Sequence, residues 1–201
     1  MVRSFAAFLI ATLSAAALAQ APANPPVRIR GTVEKLDGNV LTVKARDGQS
    51  MSVKMADTFT VMGIQKANVS EIATGKFIGA TTVGEREGAL VALEVHIFPE
   101  SMRGTGEGHY PWDLQPNSMM TNANIANVVS VASDRVMTVQ YKGGEKKILV
   151  TDSTVVVSYA PSDKSELKPG APVFMVSQKQ PDGSLTAARV NVGLNGLVPP
   201  M

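Results

Sequence analysis

His96 and His109 are the only two histidines of the chain, and both lie close to a run rich in aromatic, acidic and thioether groups. Residues 99–121 read PESMRGTGEGHYPWDLQPNSMMT. They hold the only tryptophan, Trp112, together with Tyr110, Glu107, Asp113, Met102, Met119 and Met120. Imidazole and carboxylate groups are zinc ligands, and thioethers favour copper(I). The candidate donors are His96, His109, Glu94, Glu107, Met102, Met119 and Met120, although no pair has a diagnostic spacing such as H-x-x-x-H or M-x-x-M. His109 oriented by Asp113, with Ser101 or Ser118 as nucleophile, would be a hydrolytic set, but no nucleophile elbow supports it. Gly104-x-Gly106-x-Gly108 lacks the strand-to-helix setting of a phosphate cradle and reads as tight turns. The favoured reading is therefore non-catalytic and needs no cofactor. His96, Glu107, His109, Tyr110, Trp112 and Asp113 form a ligand-binding cleft, and a metal role with zinc or copper is the alternative.

Strands must position these groups. Around His96 the alternation puts Leu93, Val95 and Ile97 on one face and Glu94 and His96 on the other. Upstream, residues 27–35 alternate apolar and polar, Asp37-Gly38 turns the chain, and residues 39–45 return. Asp47-Gly48 turns it again into residues 51–55. These are hairpin signals. Ser70-Glu71-Ile72 marks a short helical connection ended by Gly75, and strands at 77–83 and 90–98 follow, joined around Glu87-Gly88.

The same order then recurs. GTVEKLDGNVLTVKARDG from Gly31 matches NVVSVASDRVMTVQYKGG from Asn127 at an offset of 96. At an offset of 95, Ser70-Glu71-Ile72 matches Ser165-Glu166-Leu167, and Glu87-Gly88-x-Leu90-x-Ala92 matches Asp182-Gly183-x-Leu185-x-Ala187. The equivalents of Glu94 and His96 are Arg189 and Asn191, both polar. Two copies at this spacing are two domains and not a solenoid, which needs at least three repeats.

The expected fold is all-β: two tandem small five-stranded OB-like barrels, each with a short helical connection, joined by a long ordered loop and preceded by an N-terminal signal helix. A small sandwich is the competing architecture. The expected divisions are 1–19 signal peptide, 20–27 Pro-rich tail, 28–98 first module, 99–121 Gly/aromatic loop, 122–193 second module and 194–201 C-terminal tail. The S-E-(I/L)-x-x-G connection and the (D/E)-G-x-L-x-A hairpin resemble a family of bacterial exported OB-like domains of unknown function, here in two tandem copies. That resemblance implies the fold and an exported location, and carries no catalytic residue.

Composition narrows the functions. The chain has 201 residues, no cysteine, 19 Lys and Arg against 17 Asp and Glu, and 44 % hydrophobic residues. The hydrophobic fraction suits a packed core and not a disordered chain. No disulfide or thiolate site can form. Near-neutral charge and few aromatics argue against nucleic acid. Only Tyr141 and Tyr159 read as exposed aromatics on or beside strands, while Met51, Met55, Met137 and Met175 read as core filling. Arg3, the uncharged apolar residues 5–18 and Ala17-Leu18-Ala19 read as a signal peptide cleaved after Ala19. The expectation is a periplasmic or secreted protein, with no membrane span after cleavage. Its partner is an envelope protein, a polymer or a small ligand.

Overall fold

The structure is a computed structural model and describes residues 25–201. The expected signal peptide and most of the Pro-rich tail lie outside the described residues. The described chain is all-β. Its strands are β1 (Val27–Asp37), β2 (Val40–Ala45), β3 (Ser50–Lys66), β4 (Phe77–Arg86), β5 (Ala89–Ile97), β6 (Gly108–Pro111), β7 (Met119–Val131), β8 (Asp134–Tyr141), β9 (Gly144–Val150), β10 (Val155–Pro161), β11 (Pro172–Lys179) and β12 (Leu185–Gly193). No helix among the described residues is long and apolar enough to cross a membrane.

The local expectations have clear physical causes. Asp37 and Gly38 close the β1–β2 hairpin, with Gly38 at φ +56°, a region that glycine enters without steric cost. The helical connection is a single 3₁₀ turn, Val69–Glu71. The Asn68 side chain accepts from the Ser70 amide at 2.9 Å, and the Glu71 carboxylate accepts from the Asn68 amide at 2.7 Å. Its counterpart, Lys164–Glu166, is capped by Asp163, which accepts from the Ser165 amide at 2.7 Å.

β1, β2, β3, β12 and β11 close into a five-stranded barrel. β1 pairs antiparallel with β2 and β11, β2 with β3, and β11 with β12; β12 then runs parallel to β3 from Leu185↔Val53 to Gly193↔Ile64. Its interior holds Ile29, Leu41, Val43, Val53, Met55, Met175 and Val190. The strands β5, β4, β7, β8 and β9 run in the same order, and β5 meets β9 in parallel at Leu90↔Ile148 and Val91↔Leu149. Ile78, Val95, Ile125, Met137, Val139 and Ile148 pack inside this second ring. Met55, Met137 and Met175 are core residues as expected, with Met51 packed partly buried against the first core.

The expectation that residues 28–98 and 122–193 each close on themselves is corrected by these pairings. The barrel takes β1–β3 from residues 28–98 and β11–β12 from residues 122–193. The second ring takes β7–β9 from residues 122–193 and β4–β5 from residues 28–98. The cause lies in β3. It runs for 17 residues, pairs with β2 and β12 of the barrel, and over Met62–Lys66 also pairs with β10, which lies against β5, so it delivers the chain beside the second ring before the 3₁₀ turn. The next hairpin therefore adds to the other ring.

β10 joins the halves, antiparallel to β3 on one side and parallel to β5 on the other. Ile64 and Tyr159, which are 95 positions apart in the sequence, face each other in the β3–β10 ladder. At the same offset of 95, the pairing of Arg189 with Thr60 corresponds to that of Glu94 with Val155.

Candidate functional site

The cleft face of the second ring carries two rows of side chains across neighbouring strands. One row is His96, Gly79 and Asn122; the other is Glu94, Thr81 and Met120. Register explains the placement. Opposed residues in an antiparallel ladder share a face, and Val95 and Ile97 point the other way into the core. Leu93 departs from the expected alternation because the β4–β5 register shifts between Thr81 and Thr82, so Ala92 takes the core position.

Glu94 and His96 share the cleft face as expected, but they are buried, at 1 % and 4 % exposure. The Thr81 hydroxyl donates to Glu94 at 2.6 Å, and the His96 Nδ1 lies 3.0 Å from the same carboxylate. With Nδ1 donating to that carboxylate, a neutral ring presents Nε2 as an acceptor. Gly79 makes room for the ring. A Cβ there would sit 2.0 Å from His96 Nε2 and 2.5 Å from Asn122 Oδ1.

A cavity of about 430 Å³ opens in front of these rows, between the two rings. His96, Met120 and Asn122 line it from the second ring. Arg28, Phe174, Val176, Arg189 and Asn191 line it from the barrel. Tyr159 lies between them on β10, stacked on Phe98 at 5.3 Å between ring centroids. Burial raises the Tyr159 hydroxyl above the usual phenol range; the Glu94 charge adds to the rise and Arg189 opposes it. Residues 99–118 supply the remaining wall. β6 pairs with β7, which places Tyr110 beside Met120. The Trp112 amide donates to the Ser118 carbonyl at 2.8 Å and closes the loop that follows. Trp112 then reaches the barrel, where Arg28 lies 4.0 Å over its ring and Phe174 meets it edge-on at 6.3 Å. Such a cation–ring contact is favourable where the pair is shielded from water.

Of the residues expected to form the cleft, His96, Tyr110 and Trp112 line the cavity, as do Met102 and Met120 of the alternative metal set. Asp113 sits at the rim, 2.7 Å from Arg30 and 3.6 Å from Arg28. Partial burial pushes its carboxyl up, but the hydrogen bond from Arg30 and the charges of Arg30 and Arg28 outweigh this and hold it below the usual range. His109, Glu107 and Met119 are not in the lining. Alternation along β6 sends His109 to the opposite face from Tyr110, where its Nδ1 lies 2.8 Å from Thr121 Oγ1 and its ring stacks on Tyr141. Burial, with the nearby Lys146 charge, keeps its pKa below the usual imidazole value. Glu107 accepts from the Lys142 amide at 2.9 Å. The expected convergence of His96 and His109 is thereby corrected. Among the described residues no three His, Cys, Asp or Glu groups come together.

Sequence reasoning missed Arg28, Asn122, Tyr159 and Phe174 as lining residues. Arg189 and Asn191 carried a signal, as the repeat equivalents of Glu94 and His96. Tyr159, expected to be exposed, is half-buried in the cavity wall. Five buried side-chain polar atoms lack a hydrogen-bond partner among the described residues. Four of them, Arg28 Nε, Trp112 Nε1, Asn122 Oδ1 and Asn191 Oδ1, belong to residues of this cavity. Compared with known proteins, the chain matches no family model, no curated protein and no solved structure.

Proposed function

We propose that this protein is an exported, non-catalytic binding protein of the cell envelope that receives its ligand in the cavity between the two rings. The concentration of unpartnered buried polar atoms on the cavity residues carries this reading. A buried polar group without a partner costs about 1–3 kcal/mol, and a bound molecule that pairs with it recovers that cost. The volume falls in the range of roughly 300–1,000 Å³ typical of small-ligand sites, and apolar walls with a few convergent polar groups are their usual make-up. Export rests on the signal-peptide pattern of residues 1–19, and a periplasmic or secreted location follows from it. The resemblance to exported OB-like domains and the shared strand order of the two rings support a pair of OB-like barrels that arose by duplication.

The test is to purify the protein from its export compartment and identify bound small molecules by native mass spectrometry. A stoichiometric adduct that disappears in an Asn122→Leu, Asn191→Leu double variant of unchanged stability supports the reading. Turnover of ester, phosphate or glycoside substrates that is lost with His96→Ala overturns it.

A second reading has its own observation. His96, Met102 and Met120 line one cavity, and a carboxylate on Nδ1 is the usual way of orienting a histidine ligand. This would be a soft-metal site for copper(I) within a metal-trafficking accessory. The arginines in the lining oppose a bare cation. Titration with silver(I), comparing the native chain with His96→Ala, separates the two readings.

A further inference from the structure

We propose that the cavity selects an amphipathic anion, a carboxylate head with an unbranched apolar tail. This rests on the binding reading above and names its ligand class.

The first reason is charge. Arg28 and Arg30 share one carboxylate, Asp113. Arg189 makes no ion pair among the described residues, and its guanidinium donates only to the Met102 sulfur, at 3.9 Å. The other acid close by, Glu94, is taken up by Thr81 and His96. The cavity lining itself holds two guanidinium groups, Arg28 and Arg189, and, among the described residues, no carboxylate side chain, so an anionic head would balance it. Arg28 Nε and Trp112 Nε1 are two further donors without an acceptor, and the oxygens of an anionic head would pair with them.

The second reason is an occupant already present. Met201 is 1 % exposed, lines the cavity together with Phe174, and packs with Ile64 and Val157 behind it. Its carbonyl oxygen accepts from Arg30 Nε at 2.8 Å. An oxygen held by arginine and an unbranched apolar chain buried beside it are the two halves of the proposed ligand. Met201 thus acts as an internal analogue, and a free ligand would compete with it.

The experiment is calorimetric titration of the full chain with octanoate, octyltrimethylammonium and octyl glucoside, which share a tail and differ in head group. Trp112 emission is followed in parallel. Octanoate should bind at least about tenfold more tightly than the other two. Arg189→Gln should weaken it by about tenfold and Arg189→Lys should retain it, while Met201→Gly should strengthen it severalfold. Equal binding of the three probes, or preference for the cation or the sugar, overturns the anion proposal and leaves the binding reading standing. Binding of the peptide Leu-Val-Pro-Pro-Met without octanoate also overturns it, since the site is then a peptide site. If no probe binds and native mass spectrometry finds no adduct, both readings fall.

Discussion

At the residue scale the site depends on an absence of atoms at position 79. Gly79 lies between His96 and Asn122 in the ladder, and an added methyl would displace both side chains. Gly79→Ala is expected to lower stability by about 1–3 kcal/mol, the usual cost of overpacking. Chemical denaturation measures this, and an unchanged midpoint would show that the ring and the amide shift freely. Gly31→Ala should cost more, because its Cβ would lie 2.1 Å from the Lys44 carbonyl oxygen, which is backbone and cannot swing away. Asp113 gives a pH dependence at the same scale. Its folded pKa is depressed below the ordinary aspartate value of about 3.9. The contact with Arg30 therefore contributes fully above that value and is lost as pH falls through the lower folded pKa. Trp112 emission should follow this step in acid and stay flat in Asp113→Asn. A Trp112 transition at or above the ordinary carboxylate value would count against the assignment.

At the scale of elements, β10 and the segment from Glu100 to Ser118 do different jobs. β10 makes the sheet continuous, with a ladder to each ring. The segment is hydrogen-bonded to the second ring through β6 and reaches the barrel through Trp112 and Asp113. Ile64, fully buried where β3 meets β10, anchors the joint. Ile64→Ala should cost about 2–5 kcal/mol, as large-to-small changes in cores do. If the two rings unfold as one unit, the loss appears as a single shifted transition in a denaturant titration. Two separated transitions would mean that the joint had uncoupled and that each ring is stable without it.

At the scale of the whole molecule, the exchange of strands makes the two halves of the chain interdependent. Each ring lacks two strands without the other half. Separate expression of residues 25–103 and 104–201 should therefore give chains that do not fold as monomers, and co-expression should restore a one-to-one complex. Size-exclusion chromatography with circular dichroism decides it. Well-folded monomeric halves would show that each copy can close on itself and that the exchange is a consequence of linkage alone.

Much of this protein was legible in the residues themselves because the causes are local. Asp-Gly turns, period-two alternation, the Asn68 and Asp163 caps and the repeat offset each depend on a few neighbouring positions. The burial of Met55, Met137 and Met175 and the facing of Glu94 and His96 followed from the same alternation. Strand partnership was not legible. β4–β5 and β11–β12 carry equivalent patterns, so either pair satisfies either ring, and the long-range pairing of β3 with both β12 and β10 decides which one it meets. The site divides in the same way. His96, Tyr110 and Trp112 could be gathered from their nearness in sequence, whereas Arg28, Asn122, Tyr159 and Phe174 come from four strands that only the closed rings bring together. His109 shows the limit: it is next to Tyr110 in sequence, yet the alternation of β6 turns it to the other face.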